Sequence, residues 1–328
     1  MEYLPALKVH RPETVEEAVS LFGSEPNPRY LAGGTDMIVN IRRGIEQPQS
    51  LIDVTGIDGF DDIRKSDAGM VIGAGVTLRA IAEDDRVRGS YAAIAEAAES
   101  VAGPTHRNYG TLGGNLCLDT RCTYYNQSEW WRSSNAYCLK HRGDVCHVAP
   151  NGTFCFAAFS GDVAPALIIH DAELEIIGVG RSRRVAASEF YQNDGMKHLK
   201  LAQGELVVAA HLPKSTAGLL SGYAKSRVRG SIDFPLAGAA MALRVEAGKV
   251  ANLRVAVTAV DPYPHRIEAT DALIGGSIDK SWLDSLRETV RTNCKPMRTS
   301  TIKPWYRRRV VGALAVKLAT RLSSNEKH

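Results

Sequence analysis

The sequence predicts an α+β protein: a two-part N-terminal domain followed by a smaller C-terminal α+β domain. Three observations carry this. At 328 residues the chain has the length of roughly two domains. Its 44% hydrophobic and 23% charged content is that of a globular protein with room for real cores. The apolar pattern also changes along the chain, from short strands alternating with helices, to longer strand runs, and back to helices.

Residues 1–58 read strand, helix, strand, helix, strand. In MEYLPALKVHRPETVEEAV a strand leads to a helix, with Pro12 just before it, Thr14 as N-cap, and Glu16 and Glu17 in the first turn. RYLAGGTDMIVNIRRG gives a short strand, a glycine turn, then Met37, Ile38 and Ile41 at helical spacing. SLIDVTGI is a further strand. GMVIGAGVTLRAIAEDDRV repeats the pattern: strand, a packing turn at Gly73-Ala74-Gly75, then a helix capped by Thr77. YAAIAEAAESVAG is a helix that stops at Gly103-Pro104. Past a cysteine-bearing segment, ALIIHDAELEIIGVGRSRRVAASEFY and GELVVAAHLP read as strands joined by turns. From about residue 222, GYAKSRVRGSIDFPLAGAAMALRVEAGKVANLRVAVTAV predicts a helix and two strands around an Ala-Gly-Lys turn. Helices follow near ATDALIG, SWLDSLRETV and RRVVGALAVKLATRL, and only the last few residues read as a disordered tail.

Several function classes drop out. No apolar run is long enough to span a bilayer, and the N-terminus lacks the basic start and apolar core of a signal peptide. A cytoplasmic location with reduced thiols is expected. Net charge is only +4, and the basic clusters RSRR (181–184) and RRR (307–309) are short and lack aromatic partners. They read as solvated faces or subunit contacts, so no nucleic acid and no membrane is expected as a partner. No nucleophile–base constellation or metalloprotease motif is present, and no residue is expected to be catalytic.

Two double-glycine loops carry the first chemical signal. LAGGTDM places Gly33, Gly34, Thr35 and Asp36 between a strand and a helix, where backbone N–H groups can converge on an anion and no Cβ intervenes. GTLGGNLC puts Thr111, Gly113, Gly114 and Asn115 in a similar arrangement. Either alone is as readily a tight turn; two together suggest a pyrophosphate held between them. Neither is a P-loop, and neither has the spaced Rossmann glycines.

These motifs, followed by SGDVAPAL, YAKSRVRGSIDFPLAGAA and PHRIEATDALIGG, resemble the flavin-binding subunit of the molybdenum hydroxylases, the xanthine dehydrogenase family. The resemblance spans nearly the whole chain. It implies a PCMH-type FAD-binding domain over 1–221, with a small βαβ subdomain (1–58) and a larger mixed or antiparallel sheet subdomain (59–221). A C-terminal flavoprotein domain of the CO dehydrogenase type would cover 222–328. It implies FAD held by Arg29, Tyr30, Leu31, Ala32, Gly33, Gly34, Thr35 and Asp36, and by Thr111, Gly114 and Asn115. Asp162 would contact the nucleotide, Leu206 would pack on the flavin, and Lys225 would approach it. On residue type alone Asp162 is as well a turn cap, and Lys225 an exposed strand-edge lysine. The implied partners are a large molybdenum-cofactor subunit and a small [2Fe–2S] subunit, in a dimer of heterotrimers.

The chain departs from that family's pattern between Asn115 and Asp162. A long insert, 117–161, holds Cys122, Cys138, Cys146 and Cys155 at C-x15-C-x7-C-x8-C spacing, four of the six cysteines. Disulfides are disfavoured in a reducing compartment. Structural zinc usually shows a close C-x2-4-C pair, absent among these four. An iron–sulfur cluster takes four thiolates and tolerates wide spacing. Tyr124, Tyr125, Trp130, Trp131, Tyr137, Phe154 and Phe156 lie in or beside the insert and would shield it, or else form its mini-core. His141 and His147 read as surface or outer residues, and Cys117 as part of a strand. A flavin subunit with an inserted [4Fe–4S] site resembles the branch of the family that runs reductively, drawing electrons from a ferredoxin to remove a phenolic hydroxyl from an aromatic CoA thioester. Zinc in a docking clip, and a flavin subunit linked oxidatively to NAD, stay open as alternatives.

Overall fold

A computed structural model describes residues 4–325; the end of the expected C-terminal tail lies outside them. The first unit runs β1 (Lys8–His10), α1 (Val15–Ser24), β2 (Pro28–Leu31), α2 (Met37–Arg42) and β3 (Ser50–Asp53), as the sequence predicts. Its three-stranded sheet is parallel, in the order β1-β3-β2. Parallel neighbours need crossovers, which the helices supply. At the start of α1 the Thr14 hydroxyl accepts from the Glu17 amide (3.2 Å) while the Glu17 carboxylate accepts from the Glu13 amide (3.0 Å). Helix entry is thereby satisfied from both sides.

The second unit is a five-stranded antiparallel sheet with a block of short helices inserted into it. β4 (Ile63–Ser66) and β5 (Gly69–Gly73) lead to α3 (Leu78–Glu83), α4 (Asp85–Ser90), α5 (Ala92–Ser100), α6 (Pro104–Arg107), α7 (Leu112–Leu116), α8 (Glu129–Ser134) and α9 (Val163–Ile169). β6 (Glu173–Gly178), β7 (Arg181–Ala186) and β8 (Leu206–Pro213) complete the sheet, in the order β4-β5-β8-β6-β7. The turn at Gly73-Ala74-Gly75 packs as expected: a Cβ on Gly73 would lie 2.3 Å from the Phe60 carbonyl oxygen. ALII, expected as a strand, is helical within α9 and wholly buried. A short apolar run carries no period that separates strand from helix; here the Asn115 side chain accepts from the Val163 amide (3.0 Å) and starts the helix.

In the third unit β9 (Leu220–Ser226), β10 (Ala237–Glu246), β11 (Lys249–Thr258) and β12 (His265–Arg266) form an antiparallel sheet with β9 at its edge. α10 (Lys280–Thr292) and α11 (Pro304–Asn325) pack against it. The helix expected near residue 222 is strand β9 and a loop. Gly222 and Gly230 disfavour a helix, and β9 pairs residue by residue with β10 from Leu220 to Ser226. ATDALIG forms only a 3-10 turn. The RRR cluster is not a solvated face throughout. Arg307 is 3% exposed and donates to the carbonyls of Leu236, Met297 and Ala259, which ties α11 to the loop after β9. Among the described residues no helix is long and apolar enough to cross a membrane.

Two buried histidines make the fold sensitive to acid. His170 and His198 are each pushed down to about 4 by burial, from an ordinary 6.5. The unfolded chain therefore binds more protons below about pH 6.5. Stability should be complete above that pH and decline as pH falls toward about 4, by about 1.4 kcal/mol per pH unit for each histidine. Urea unfolding across this window measures the slope, and a flat profile would contradict it.

Candidate functional site

The first glycine turn leaves β2 and doubles back into α2. Gly34 has φ +70°, the left-handed region that glycine adopts freely. Gly33 is required by close approach: a Cβ there would sit 1.8 Å from the Tyr109 carbonyl oxygen. The turn thus lies directly on the backbone that leads into the second loop. Among the described residues, the amides of Gly33, Gly34, Thr35 and Asp36 donate to no protein acceptor. Free amides in a tight turn suit an anion. Upstream, Arg29 pairs with Glu46 (2.8 Å) and the Tyr30 hydroxyl donates to the Gly204 carbonyl (2.8 Å). With Leu31 they belong to β2, so the free donors of residues 29–36 sit in the turn. The Asp36 carboxylate accepts from Asn40 (2.9 Å) and pairs with Arg121.

The second loop differs from the first, against the expectation of a similar arrangement. It is a capped helical turn. The Thr111 hydroxyl accepts from the Gly114 amide (3.1 Å), Gly113 donates to the Ala74 carbonyl (2.8 Å), and Asn115 donates to the Thr111 carbonyl (2.9 Å). The physical reason is packing, since a Cβ on Gly113 would lie 2.9 Å from that of Ala74. Among the described residues, the Thr111 hydroxyl hydrogen and the Asn115 carboxamide nitrogen donate to no protein acceptor.

Asp162 and Lys225 meet. The Asp162 carboxylate accepts from the Lys225 ammonium (3.0 Å) and the Tyr223 hydroxyl (2.7 Å), and makes no helix-cap bond. Lys225 also donates to the Ser100 carbonyl (3.1 Å). It lies on an edge strand but is not exposed: the two charged side chains are 4% and 3% accessible. Burial pushes the Asp162 carboxyl up and the Lys225 ammonium down, and each opposes the other's shift. Leu206 opens β8 and is buried in the main core.

The insert brings Cys122, Cys138, Cys146 and Cys155 to the wall of one small cavity, together with Tyr124, Tyr125, Lys140 and His147. Burial first, then the neighbouring thiols, pushes Cys122 up to about 12; burial pushes Cys155 up to about 11. Among the described residues no three His, Cys, Asp or Glu side chains are grouped as the ligands of one ion would be. The thiols line a space instead of converging on a point. Cys117 caps α7, is not in a strand, and does not line this cavity. Trp130 is 74% exposed and shields nothing, and Phe154 and Phe156 pack on each other with tilted rings (centroids 4.3 Å apart). His141 is half-buried, with its Nε2 buried and without a hydrogen-bond partner among the described residues. Arg132, with no exposed side chain, donates to the carbonyls of Gln127, Arg43 and Gly44 and so pins the insert to the first unit.

Sequence reasoning missed Arg121, Tyr223 and Lys140. Tyr223 was legible in principle, two residues before Lys225 on the same face of a strand. Lys140 follows Cys138 closely; it pairs with Asp119 (2.6 Å) and lies 4.4 Å from the Tyr125 ring centroid. Only the fold brings Arg121 to Asp36.

Residues 5–215 match the FAD binding domain in molybdopterin dehydrogenase, and residues 221–322 the CO dehydrogenase flavoprotein C-terminal domain. The aldehyde oxidoreductase FAD-binding subunit PaoB of Escherichia coli is 32% identical over 95% of this chain and 98% of its own. The carbon monoxide dehydrogenase medium chain of Afipia carboxidovorans is 27% identical over 97% of both. Among solved structures, the fold is shared with a chain of the Cu,Mo-CO dehydrogenase (TM-score 0.80, 24% identity, 98% and 99% covered). It is also shared with one of quinoline 2-oxidoreductase from Pseudomonas putida 86 (TM-score 0.80, 20% identity, 99% and 100% covered).

Replacing Asp162 with Asn leaves Lys225 buried without its counter-charge. The expected loss of stability is about 3 kcal/mol by urea unfolding, with partial recovery in Asp162→Asn, Lys225→Met. A loss below about 1 kcal/mol would mean that the pair is not buried in solution.

Proposed function

Because the chain belongs to the FAD-binding subunits of the molybdenum hydroxylase family, we propose that it is the electron-transfer subunit of an enzyme of the 4-hydroxybenzoyl-CoA reductase type, carrying both FAD and a [4Fe–4S] cluster. The observation that carries this reading is the insert: four cysteines line one cavity, in a segment that starts beside the second glycine loop and ends beside Asp162. The thiolates of Cys122, Cys138, Cys146 and Cys155 would hold the cluster. FAD would rest on the free amides of residues 33–36, on the Thr111 hydroxyl and on Asn115, with Ala32, Gly114, Asp162, Leu206 and Lys225 around it. When bound, these groups exchange electrons in single or paired steps; the chain's own residues orient them and exclude water. Substrate binding and bond cleavage belong to other subunits. The complex would join this chain to a large molybdenum subunit and a small [2Fe–2S] subunit, as a dimer of heterotrimers, with ferredoxin as donor in the cytoplasm.

The donor chemistry at each site supports the reading. Gly33 lets the turn pack on the Tyr109 backbone while its amides stay free, and the cysteine set is sulfur-only and walled by Tyr124 and Tyr125. A second reading is an oxidative hydroxylase linked to NAD; the names of the relatives, which include an aldehyde oxidoreductase and CO dehydrogenases, favour its oxidative part.

Metal analysis separates the readings of the insert. Anaerobically purified protein should contain about four iron and four acid-labile sulfide per FAD, and Cys138→Ser should lose iron and slow flavin reduction by ferredoxin. One zinc without sulfide would reduce the insert to a structural clip. Rapid turnover with NAD would favour the oxidative reading.

A further inference from the structure

Arg121 links the two proposed cofactor sites: its side chain pairs with Asp36 of the glycine turn, and its backbone runs directly into Cys122. It precedes Cys122, and its backbone amide and carbonyl pair with those of Ala158 (2.7 and 2.8 Å), closing the base of the insert. Its guanidinium pairs with Asp36 at the end of the first glycine turn and lies 4.3 Å from the Phe234 ring centroid. The side chain is 14% exposed, and its Nε is buried without a partner among the described residues.

Asp36 poses an electrostatic problem. Its carboxylate ends a turn whose free amides suit an anion, and like charge at that place repels the same anion. Asn40 donates one hydrogen bond to it but carries no charge. Arg121 supplies the charge, through a planar guanidinium.

We propose that Arg121 is a positioning residue for the flavin: by neutralising Asp36 it lets the Gly33–Asp36 turn accept a diphosphate, and it makes that turn depend on the closed insert. This rests on the flavin reading above and is independent of which metal the cysteines hold. The turn's donors are its amides, so the carboxylate itself is dispensable once its charge is gone.

The test uses the full chain stripped of flavin, with FAD and riboflavin binding followed by flavin fluorescence. Arg121→Gln should weaken FAD by about 10-fold or more and barely affect riboflavin, which has no phosphate. Adding Asp36→Asn to it should restore most of the FAD affinity. Unchanged FAD affinity in Arg121→Gln overturns the proposal. So does an equal loss for both flavins without recovery in the double variant, the mark of a merely structural role. If Arg121→Gln fails to fold, Asp36→Asn alone decides: retained or tighter FAD binding supports the proposal, and lost binding overturns it. A wild-type chain that binds no FAD fails the flavin reading itself, and this inference with it.

Discussion

The buried pair of Asp162 and Lys225 is the constraint around which the molecule is arranged. Two opposite charges leave water only where their mutual attraction and extra hydrogen bonds offset the desolvation, and here Tyr223 and the Ser100 carbonyl supply those bonds. The pair joins the start of α9 to the edge strand of the third unit. Next to it, Asn115 holds the Val163 amide and Thr258 donates to the Gly161 carbonyl (2.9 Å). The Ser160–Asp162 turn is therefore gripped by the second glycine loop, by β9 and by β11 at once. A shift of this turn would move the glycine loop and the C-terminal domain together.

That coupling explains why the two glycine loops have different jobs. The second is closed on itself by Thr111 and fixed to the Ala74 turn, so it acts as a rigid wall. The first lies against that wall through the Gly33 and Tyr109 backbones and keeps its amides open. The second loop offers a fixed frame with side-chain donors, and the first offers backbone donors. A pattern of glycines does not distinguish them, because both roles demand a missing side chain.

Much of the architecture was legible from period alone. The first unit follows from apolar spacing and from the cap at Thr14, and α3 of the second unit from the cap at Thr77, where local bonds decide the outcome. Legibility failed where tertiary contacts decide. ALII is helical because of a side chain many residues earlier in the chain, and β9 is a strand because β10 pairs with it. The recurrence of cysteine marked the insert, yet Arg121 and Arg132 were indistinguishable from surface arginines, since burial and partner are set by the fold. The RRR cluster shows the same limit: Arg307 is buried, and the carbonyls that hold it leave no trace in composition.

The energetics of the insert follow from the same reasoning. Its apolar cluster is small, with Ile45, Tyr125 and Ala157 around three of the cysteines, so hydrophobic burial adds little. The thiols oppose charge as they stand: burial holds Cys122 and Cys155 far above their ordinary 9.0. Gathering thiolates there needs a bound cation or cluster to offset desolvation and mutual repulsion, and the free energy of that binding then becomes folding free energy of the segment. The polar anchors set the alternative. Arg132 on the Arg43 and Gly44 carbonyls, and Lys140 on Asp119 and the Gly195 carbonyl, hold the two sides of the cavity to the rest of the chain without using any sulfur. The segment is thus positioned by its cations, and its thiols line the cavity that lies between those anchors.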